Sequence, residues 1–74
     1  NPANADFRML LGNLFAAENQ TSRAITAYTE AIREKPDYAA AHYNLGLALL
    51  KIGDNASAQV HFETAHRLDP SITK

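Results

Sequence analysis

The chain has 74 residues, no cysteine and a net charge of -1, and 46% of its residues are hydrophobic. This length limits it to one small domain, and the lack of cysteine excludes disulfides and thiolate metal sites. The near-neutral charge argues against a nucleic-acid-binding surface, and no apolar run approaches the roughly 20 residues that span a bilayer. We expect a soluble protein, cytoplasmic by default, with no nucleic-acid partner and no membrane insertion.

Four helices are predicted in chain order, at about 5–18, 21–34, 39–52 and 55–68. In each of them apolar residues recur at steps of three and four, which places them on one face of a helix. These predicted faces are Phe7, Leu11, Leu14 and Phe15; Ala24, Tyr28, Ala31 and Ile32; Ala41, Leu45, Ala48, Leu49 and Ile52; and Ala58, Phe62, Ala65 and Leu68. The period-two alternation of strands is absent, so the sequence predicts an all-α fold.

Residues with turn-forming chemistry separate the predicted helices. Gly53 and, in the earlier turn, Asn19 tolerate the left-handed backbone conformation that ends many helices. Asp54 can cap the following helix by accepting a hydrogen bond from a free backbone N–H. Pro36 and Pro70 lack the N–H that would continue a helix and therefore mark helix ends.

An internal repeat underlies this pattern, because Pro2, Pro36 and Pro70 are spaced by 34 residues. Aligning residues 5–38 with residues 39–72 gives seven identities. They are Ala5/Ala39, Leu11/Leu45, Gly12/Gly46, Ala24/Ala58, Ala31/Ala65, Arg33/Arg67 and Pro36/Pro70. An alanine-rich four-helix bundle is the alternative, but a bundle has no need for a 34-residue proline period.

Each repeat is therefore predicted to be one pair of antiparallel helices, at about 5–38 and 39–72. Residues 1–4 and 73–74 are expected to be ends of neighbouring units or tails, and the chain to be a piece of a longer solenoid. Helix pairs of this kind bury a continuous core only by stacking on one another.

Two glycines lie inside predicted helices at equivalent positions, Gly12 and Gly46. Glycine costs roughly 1 kcal/mol against alanine within a helix, so its presence twice at one place predicts a close approach of another side chain. The aromatic pair Tyr28 and Phe62 is the expected occupant of that space.

These residues resemble the tetratricopeptide repeat family, whose 34-residue pattern is W-x2-L-G-x2-Y followed by A-x3-F, A and P. The second repeat has "HYNLGLAL", then Ala58, Phe62, Ala65 and "LDP"; the first has "RMLLGNLF", then Ala24, Tyr28, Ala31 and "KP". The resemblance covers residues 5–72. Arg8 and His42 depart from it, since they replace the usual large apolar residue and could loosen local packing.

The resemblance implies a short right-handed α-solenoid that is not an enzyme and needs no cofactor. Such arrays hold a peptide or protein segment on the concave face, which the first helix of each pair lines. Mapped onto this chain, the groove positions are Asp6, Met9, Asn13, Ala16 and Ala17, then Ala40, Tyr43, Leu47, Leu50 and Lys51. With Asn44, we expect Met9, Asn13, Tyr43, Leu47, Leu50 and Lys51 to form the binding site.

One binding mode of the family clamps a C-terminal carboxylate between asparagines and cations of three successive first helices. Asn13 and Asn44 occupy the asparagine positions of that clamp. Met9, however, stands where the clamp has a lysine, and a third repeat with the remaining cations is missing. The sequence therefore favours other modes of peptide binding.

No other constellation predicts chemistry. His61 and His66 are five residues apart and so do not share a helix face, and His42 is on another helix. We interpret the three as ordinary surface or boundary histidines, with no metal site. The main competitor of peptide binding is self-association, in which copies stack into homo-oligomers through uncapped repeat ends. Val60, Phe62 and Leu68 are expected to be partly uncovered at such an end.

Overall fold

The structure, a computed structural model, describes residues 2–72, without the side chain of Pro2. Four helices follow one another in this range, and no strand occurs in it. They are α1 (Pro2–Ala17), α2 (Thr21–Glu34), α3 (Ala39–Lys51) and α4 (Asn55–Leu68). The predicted all-α fold of two helix-turn-helix units is confirmed.

Helix α1 begins three residues earlier than predicted, at Pro2 instead of residue 5. Proline suits a first helical position, because its φ is already helical and its missing N–H has no acceptor there. Residues 2–4 are thus part of the first helix, whereas Pro36 and Pro70 lie in turns. Asn1 and residues 73–74, also expected to be tails or ends of neighbouring units, lie outside the described residues.

The two turns within the helix pairs have the same geometry. Asn19 and Gly53 both have positive φ, 61° and 85° respectively, as predicted. The residue after each donates its N–H to a carbonyl of the preceding helix, Gln20 to Phe15 and Asp54 to Leu49, both at 2.9 Å. Asp54 caps α4, since its Oδ1 accepts a hydrogen bond from the Ser57 N–H at 3.2 Å.

The helices pack in sequence order, α1 on α2, α2 on α3 and α3 on α4. The core is made largely of small side chains, which let the helices approach closely. Its buried members are Met9, Ala24, Tyr28, Ala31, Ala41, Leu45, Ala48, Leu49 and Ala58. With so many alanines, each large side chain in the core contributes a considerable share of the buried apolar surface.

The predicted contact between aromatic rings and glycines is confirmed in both helix pairs. A Cβ atom on Gly12 would overlap with the Tyr28 ring, and one on Gly46 would lie 2.6 Å from Phe62 Cε1. These separations are shorter than real packing contacts, so only glycine allows the rings to lie against the backbone of the facing helix.

The apolar periodicity misplaced several side chains. Phe7, Leu14 and Ile52 belong to predicted apolar faces but are exposed, whereas the exposure of Leu68 agrees with its expected position at an uncovered end. Helix α1 is apolar around most of its circumference, so periodicity alone does not decide which arc meets α2 and α3. Ile52 follows the last residue of α3 and has left the register of that helix.

Arg8 ties α1 to α2 instead of loosening their packing. Its guanidinium donates to Glu34 Oε2 at 2.6 Å and to Glu30 Oε1 at 3.0 Å. The hydrogen bond from Arg8 holds the pKa of the Glu34 carboxyl below its ordinary value. All three side chains are partly exposed, so we expect this ion pair to contribute modestly to stability.

His42, the equivalent residue of the second pair, is buried and joins α3 to α4. Its Nε2 lies 3.0 Å from the Pro36 carbonyl oxygen, and its Nδ1 lies 3.1 Å from Nδ1 of His61. Because a carbonyl only accepts, Nε2 of His42 has the proton, and the Nδ1–H of His61 donates to Nδ1 of His42. The interpretation of His42 as a surface or boundary residue is therefore wrong, because its side chain is buried. Burial is tolerated since both ring nitrogens have partners, one on Pro36 and one on His61.

The two imidazole nitrogens point at each other. The 5.3 Å between the ring centroids nearly equals the 3.1 Å between the nitrogens plus the two ring radii, so the nitrogens lie close to the centroid line. A zinc ion between them would need about 2.0–2.1 Å to each nitrogen, or about 4 Å in this in-line arrangement. The geometry suits one shared proton.

The glycine contacts can be tested by adding one methyl group. We expect Gly12→Ala to lower the free energy of unfolding by about 1–2 kcal/mol, because overpacking outweighs the roughly 1 kcal/mol that alanine gains in a helix. Gly46→Ala should cost less, because Phe62 is only half-buried and its ring can shift. Denaturant unfolding followed by circular dichroism measures both values; a stabilised Gly12→Ala variant would contradict the packing argument.

The histidine pair predicts a dependence of stability on pH. Burial and, secondarily, the charge of His42 lower the pKa of His61. The folded chain therefore binds fewer protons at this site than the unfolded chain. The contribution to stability is present above the ordinary histidine pKa of about 6.5 and is lost as the pH falls from there through the lowered pKa of His61.

We expect His61→Gln to lose less stability than the wild type between pH 7.5 and pH 5.5. Val60→Thr, at an exposed position of the same helix, changes no titratable group; it is the control and should keep the pH dependence of the wild type. Urea midpoints at the two pH values measure the difference; equal pH dependence in the wild type and His61→Gln would refute the assignment.

Candidate interaction groove

Four of the seven predicted site residues meet in one cavity of about 200 Å³ on the side of α1 and α3. They are Asn13, Asn44, Leu47 and Lys51. Ala16, Thr21, Tyr28 and Ala48 complete the lining. The cavity thus joins both helix pairs, and no residue of its lining is acidic.

A hydrogen-bond chain crosses the floor of this cavity. The Tyr28 hydroxyl donates to Asn13 Oδ1 at 2.7 Å, and Asn44 Nδ2 donates to the same oxygen at 3.1 Å. Burial raises the pKa of Tyr28, so the phenol stays protonated and remains a donor at neutral pH. Two donors on one oxygen fix the orientation of the Asn13 amide, whose Nδ2 is then available to an acceptor from outside.

Lys51 lies at the other end of the cavity and links the two repeats. Its ammonium donates to Asn19 Oδ1, in the α1–α2 turn, at 2.7 Å. An ammonium has three donors, so this contact positions the charge and leaves capacity for a further acceptor. The cavity therefore presents hydrogen-bond donors and one positive charge beside the apolar surface of Leu47, Ala16 and Ala48.

The other three predicted residues lie outside the cavity. Met9 is only 8% exposed and belongs to the core, where its sulfur lies 3.9 Å from Asn44 Nδ2. Tyr43 packs against Phe62 with ring centroids 5.5 Å apart, and Leu50 is exposed further along α3. Asp6, Ala17 and Ala40, also mapped to the groove, do not line the cavity.

Tyr28 is the member of the cavity whose polar role sequence reasoning missed. Its ring was assigned to packing against Gly12, and its hydroxyl to nothing. The available signal was the difference between Tyr28 and its equivalent, Phe62, because a buried phenol hydroxyl needs a hydrogen-bond partner.

Membrane-spanning helices and metal-binding clusters are both lacking in residues 2–72. No helix in that range is long and apolar enough to cross a membrane. The same residues contain no cluster of three or more histidine, cysteine, aspartate or glutamate side chains that could hold a metal ion.

Comparison with known proteins matches the repeat described above. A family profile for the TPR repeat matches residues 12–53, more than half of the chain, and one for the tetratricopeptide repeat matches residues 39–72. Two proteins named peroxisomal targeting signal receptor are similar to this chain in sequence. The receptor of Eremothecium gossypii is 40% identical and that of Candida glabrata 38%, each over 55 residues or 74% of this chain.

A third receptor of this name, from Candida albicans, is 37% identical over 51 residues, which are 69% of this chain. The matched parts amount to only 9–10% of these relatives, so the similarity concerns the repeats and not the whole receptors. With its paired helices, its aromatic–glycine contacts and the two profile matches, the chain belongs to the tetratricopeptide repeat family.

Proposed function

We propose that the chain is a non-catalytic protein-interaction module that holds an extended segment of a partner protein in the groove of α1 and α3. The proposal depends mainly on one observation, the hydrogen-bond chain from Tyr28 through Asn13 to Asn44. This chain fixes the Asn13 amide before any ligand arrives. A preorganised donor loses little conformational freedom on binding, which favours affinity.

The chemistry of the groove fits the main chain of a peptide. An extended segment presents a carbonyl acceptor at each residue and side chains on alternate faces. Asn13 Nδ2 and the Lys51 ammonium can donate to carbonyl or carboxylate oxygens, while Leu47 offers an apolar contact to a side chain. Lys51 adds a preference for an acidic group near its end of the groove.

Similarity to proteins named as targeting-signal receptors supports a receptor-like role towards a protein segment. Since the chain matches only about a tenth of those relatives, the proposal is limited to peptide binding by these repeats.

A second candidate function, homo-oligomerisation through the ends of the helix pairs, is favoured by a separate observation. Large apolar side chains are exposed on α1, α3 and α4 and directly after α3. They are Phe7, Leu10, Leu14, Leu47, Leu50, Ile52, Val60 and Leu68. Monomeric proteins seldom leave apolar side chains grouped in this way unless the group meets a partner.

Peptide binding can be tested with the variant Asn13→Asp. The fluorescently labelled chain is applied to an array of short peptides, and the best binder is titrated by fluorescence anisotropy. Aspartate retains the oxygen that Tyr28 and Asn44 contact but replaces the outward donor by an acceptor. We expect affinity to fall at least ~10-fold, or about 1.4 kcal/mol.

Asn55→Asp, at the exposed start of α4, makes the same chemical change away from the groove and should bind like the wild type. Equal affinity of the wild type and Asn13→Asp would refute the proposed site. A peptide that binds with a free C-terminal carboxylate but not as the amide would instead establish the carboxylate-clamp mode.

A further inference from the structure

We infer that the chain stacks head to tail with a second copy of itself, so that α3 of one copy contacts α1 of the next. The inference rests on the second candidate function and assigns its interface. Two surfaces carry it. The leading stripe is Phe7, Leu10 and Leu14 on α1, and the trailing stripe is Tyr43, Leu47 and Leu50 on α3.

Both stripes are largely open to solvent. The three residues of the leading stripe are 53–60% exposed, and their spacing of three and four places them on one face of α1. Leu47 and Leu50 are 46% and 45% exposed, and Tyr43 is half-buried beside Phe62.

The contact between α1 and α3 within the chain shows what each stripe would meet. There Met9, Asn13 and Ala16 of α1 face α3, where Asn44 and Ala48 approach them. A shift of 34 residues converts Met9, Asn13 and Ala16 into Tyr43, Leu47 and Leu50, the trailing stripe. The same shift converts Phe7, Leu10 and Leu14 of the leading stripe into Ala41, Asn44 and Ala48. The two stripes are thus the two halves of one contact that the structure already contains.

The two sides of this contact are both polar at its centre within one chain and both apolar between two copies. Within the chain the central pair of this contact is polar, since Asn44 Nδ2 donates to Asn13 Oδ1 at 3.1 Å. The equivalent pair between two copies is Leu47 with Leu10, and both members are apolar. The polar link between Lys51 and Asn19 is replaced by Ala17 with Gly53, so the α1–α3 contact between copies needs no polar pair at this place. Matching of polar with polar and apolar with apolar favours a second copy as the occupant.

The surface beside the leading stripe also fits a stack in which the copies are related like the two repeats of one chain. Leu11 and Phe15 line an open cavity of about 290 Å³ between α1 and α2. Their equivalents, Leu45 and Leu49, are buried in the core that α2 and α3 share. In a stack, α4 of the preceding copy takes the place of α2 over Leu11 and Phe15.

Side-chain size sets the spacing of the stack. Phe7 and Leu14 are larger than Ala41 and Ala48, and Leu50 is larger than Ala16, so two copies lie further apart than the two units of one chain. Gln59 and His66 also stand where α2 has Ile25 and Ile32, which confines the apolar part of the contact to α1 and α3. Six side chains make an interface below the standard of about 1,600 Å², the class of weak and transient contacts, so we expect assembly only at high protein concentration.

This contact is heterologous, because the trailing stripe of one copy meets the leading stripe of the next. Each copy therefore keeps one stripe free for a further copy, and assembly is open-ended. Sedimentation velocity from about 10 µM to about 1 mM, a range suited to weak contacts, should show a mass that rises beyond the dimer. Leu10→Glu and Leu47→Glu should each be monomeric over that range. Mixed in equal amounts they should form a 1:1 heterodimer, because each variant keeps the surface that the other has lost.

Val60→Glu is the matched control, since Val60 is equally exposed but lies on α4 outside both stripes; it should assemble like the wild type. A wild type that stays monomeric up to about 1 mM overturns both self-association and this interface. Assembly that persists in Leu10→Glu or in Leu47→Glu, or a mixture of the two that stays monomeric, overturns the interface alone.

Folding of each variant is checked by circular dichroism. The substituted side chains are outside the core, so the helical signal should remain at the wild-type level. Leu14→Glu and Leu50→Glu form a second pair for the same mixing experiment should either first variant unfold.

Discussion

The contact of an aromatic ring with the bare backbone of a glycine holds each helix pair together. In both pairs the ring occupies the volume that any other residue at position 12 or 46 would fill with a side chain. Helices therefore approach closely with a core composed mainly of alanine. Glycine destabilises each helix relative to alanine, but the ring that packs against it buries more apolar surface than a methyl group would, which offsets this loss in both pairs.

The same contact positions the groove. With its ring fixed against Gly12, Tyr28 brings its hydroxyl to 2.7 Å from Asn13, and Asn13 in turn accepts from Asn44 of the second pair. Phe62 makes the equivalent contact without a hydroxyl, and Leu47 stands where the first pair has Asn13. One packing arrangement thus supports a polar surface in the first repeat and an apolar one in the second.

The turns, which local chemistry decides, were predicted correctly from the sequence. The buried faces of the helices were not, because they depend on how each helix is rotated about its axis. Residues with strong conformational preferences, Asn19, Gly53 and Asp54, lie in the predicted turns with the predicted roles. Phe7 and Leu14 were placed on the predicted apolar face of α1, but α1 is apolar on most of its surface, and periodicity does not show which arc is covered. The pairing of His42 with His61 was missed for the same reason, since it depends on how α3 and α4 face each other.

For the groove, too, the positions of some residues could be predicted from the sequence, and those of others required the structure. Asn13, Asn44, Leu47 and Lys51 were found from the family pattern, and the structure brings all four into one cavity. The pattern also mapped Met9 to the surface, but in this chain its side chain lies in the core. Met9 is flexible and apolar, so it packs into the core with its sulfur beside the Asn44 amide.

Leu47 connects the groove to the ends of the molecule, because it lines the cavity and also belongs to the trailing stripe. In a head-to-tail stack, Leu10 of the next copy would lie beside it at the place that Asn44 has beside Asn13. The groove would then continue from one copy to the next. The apolar contact of Leu47 with Leu10 at the junction would lie between the polar Asn13–Asn44 contacts of the two copies. A partner segment long enough to cross the junction would contact both copies, so that peptide binding and stacking would favour each other. A segment confined to one cavity would instead compete with the next copy for the side chain of Leu47.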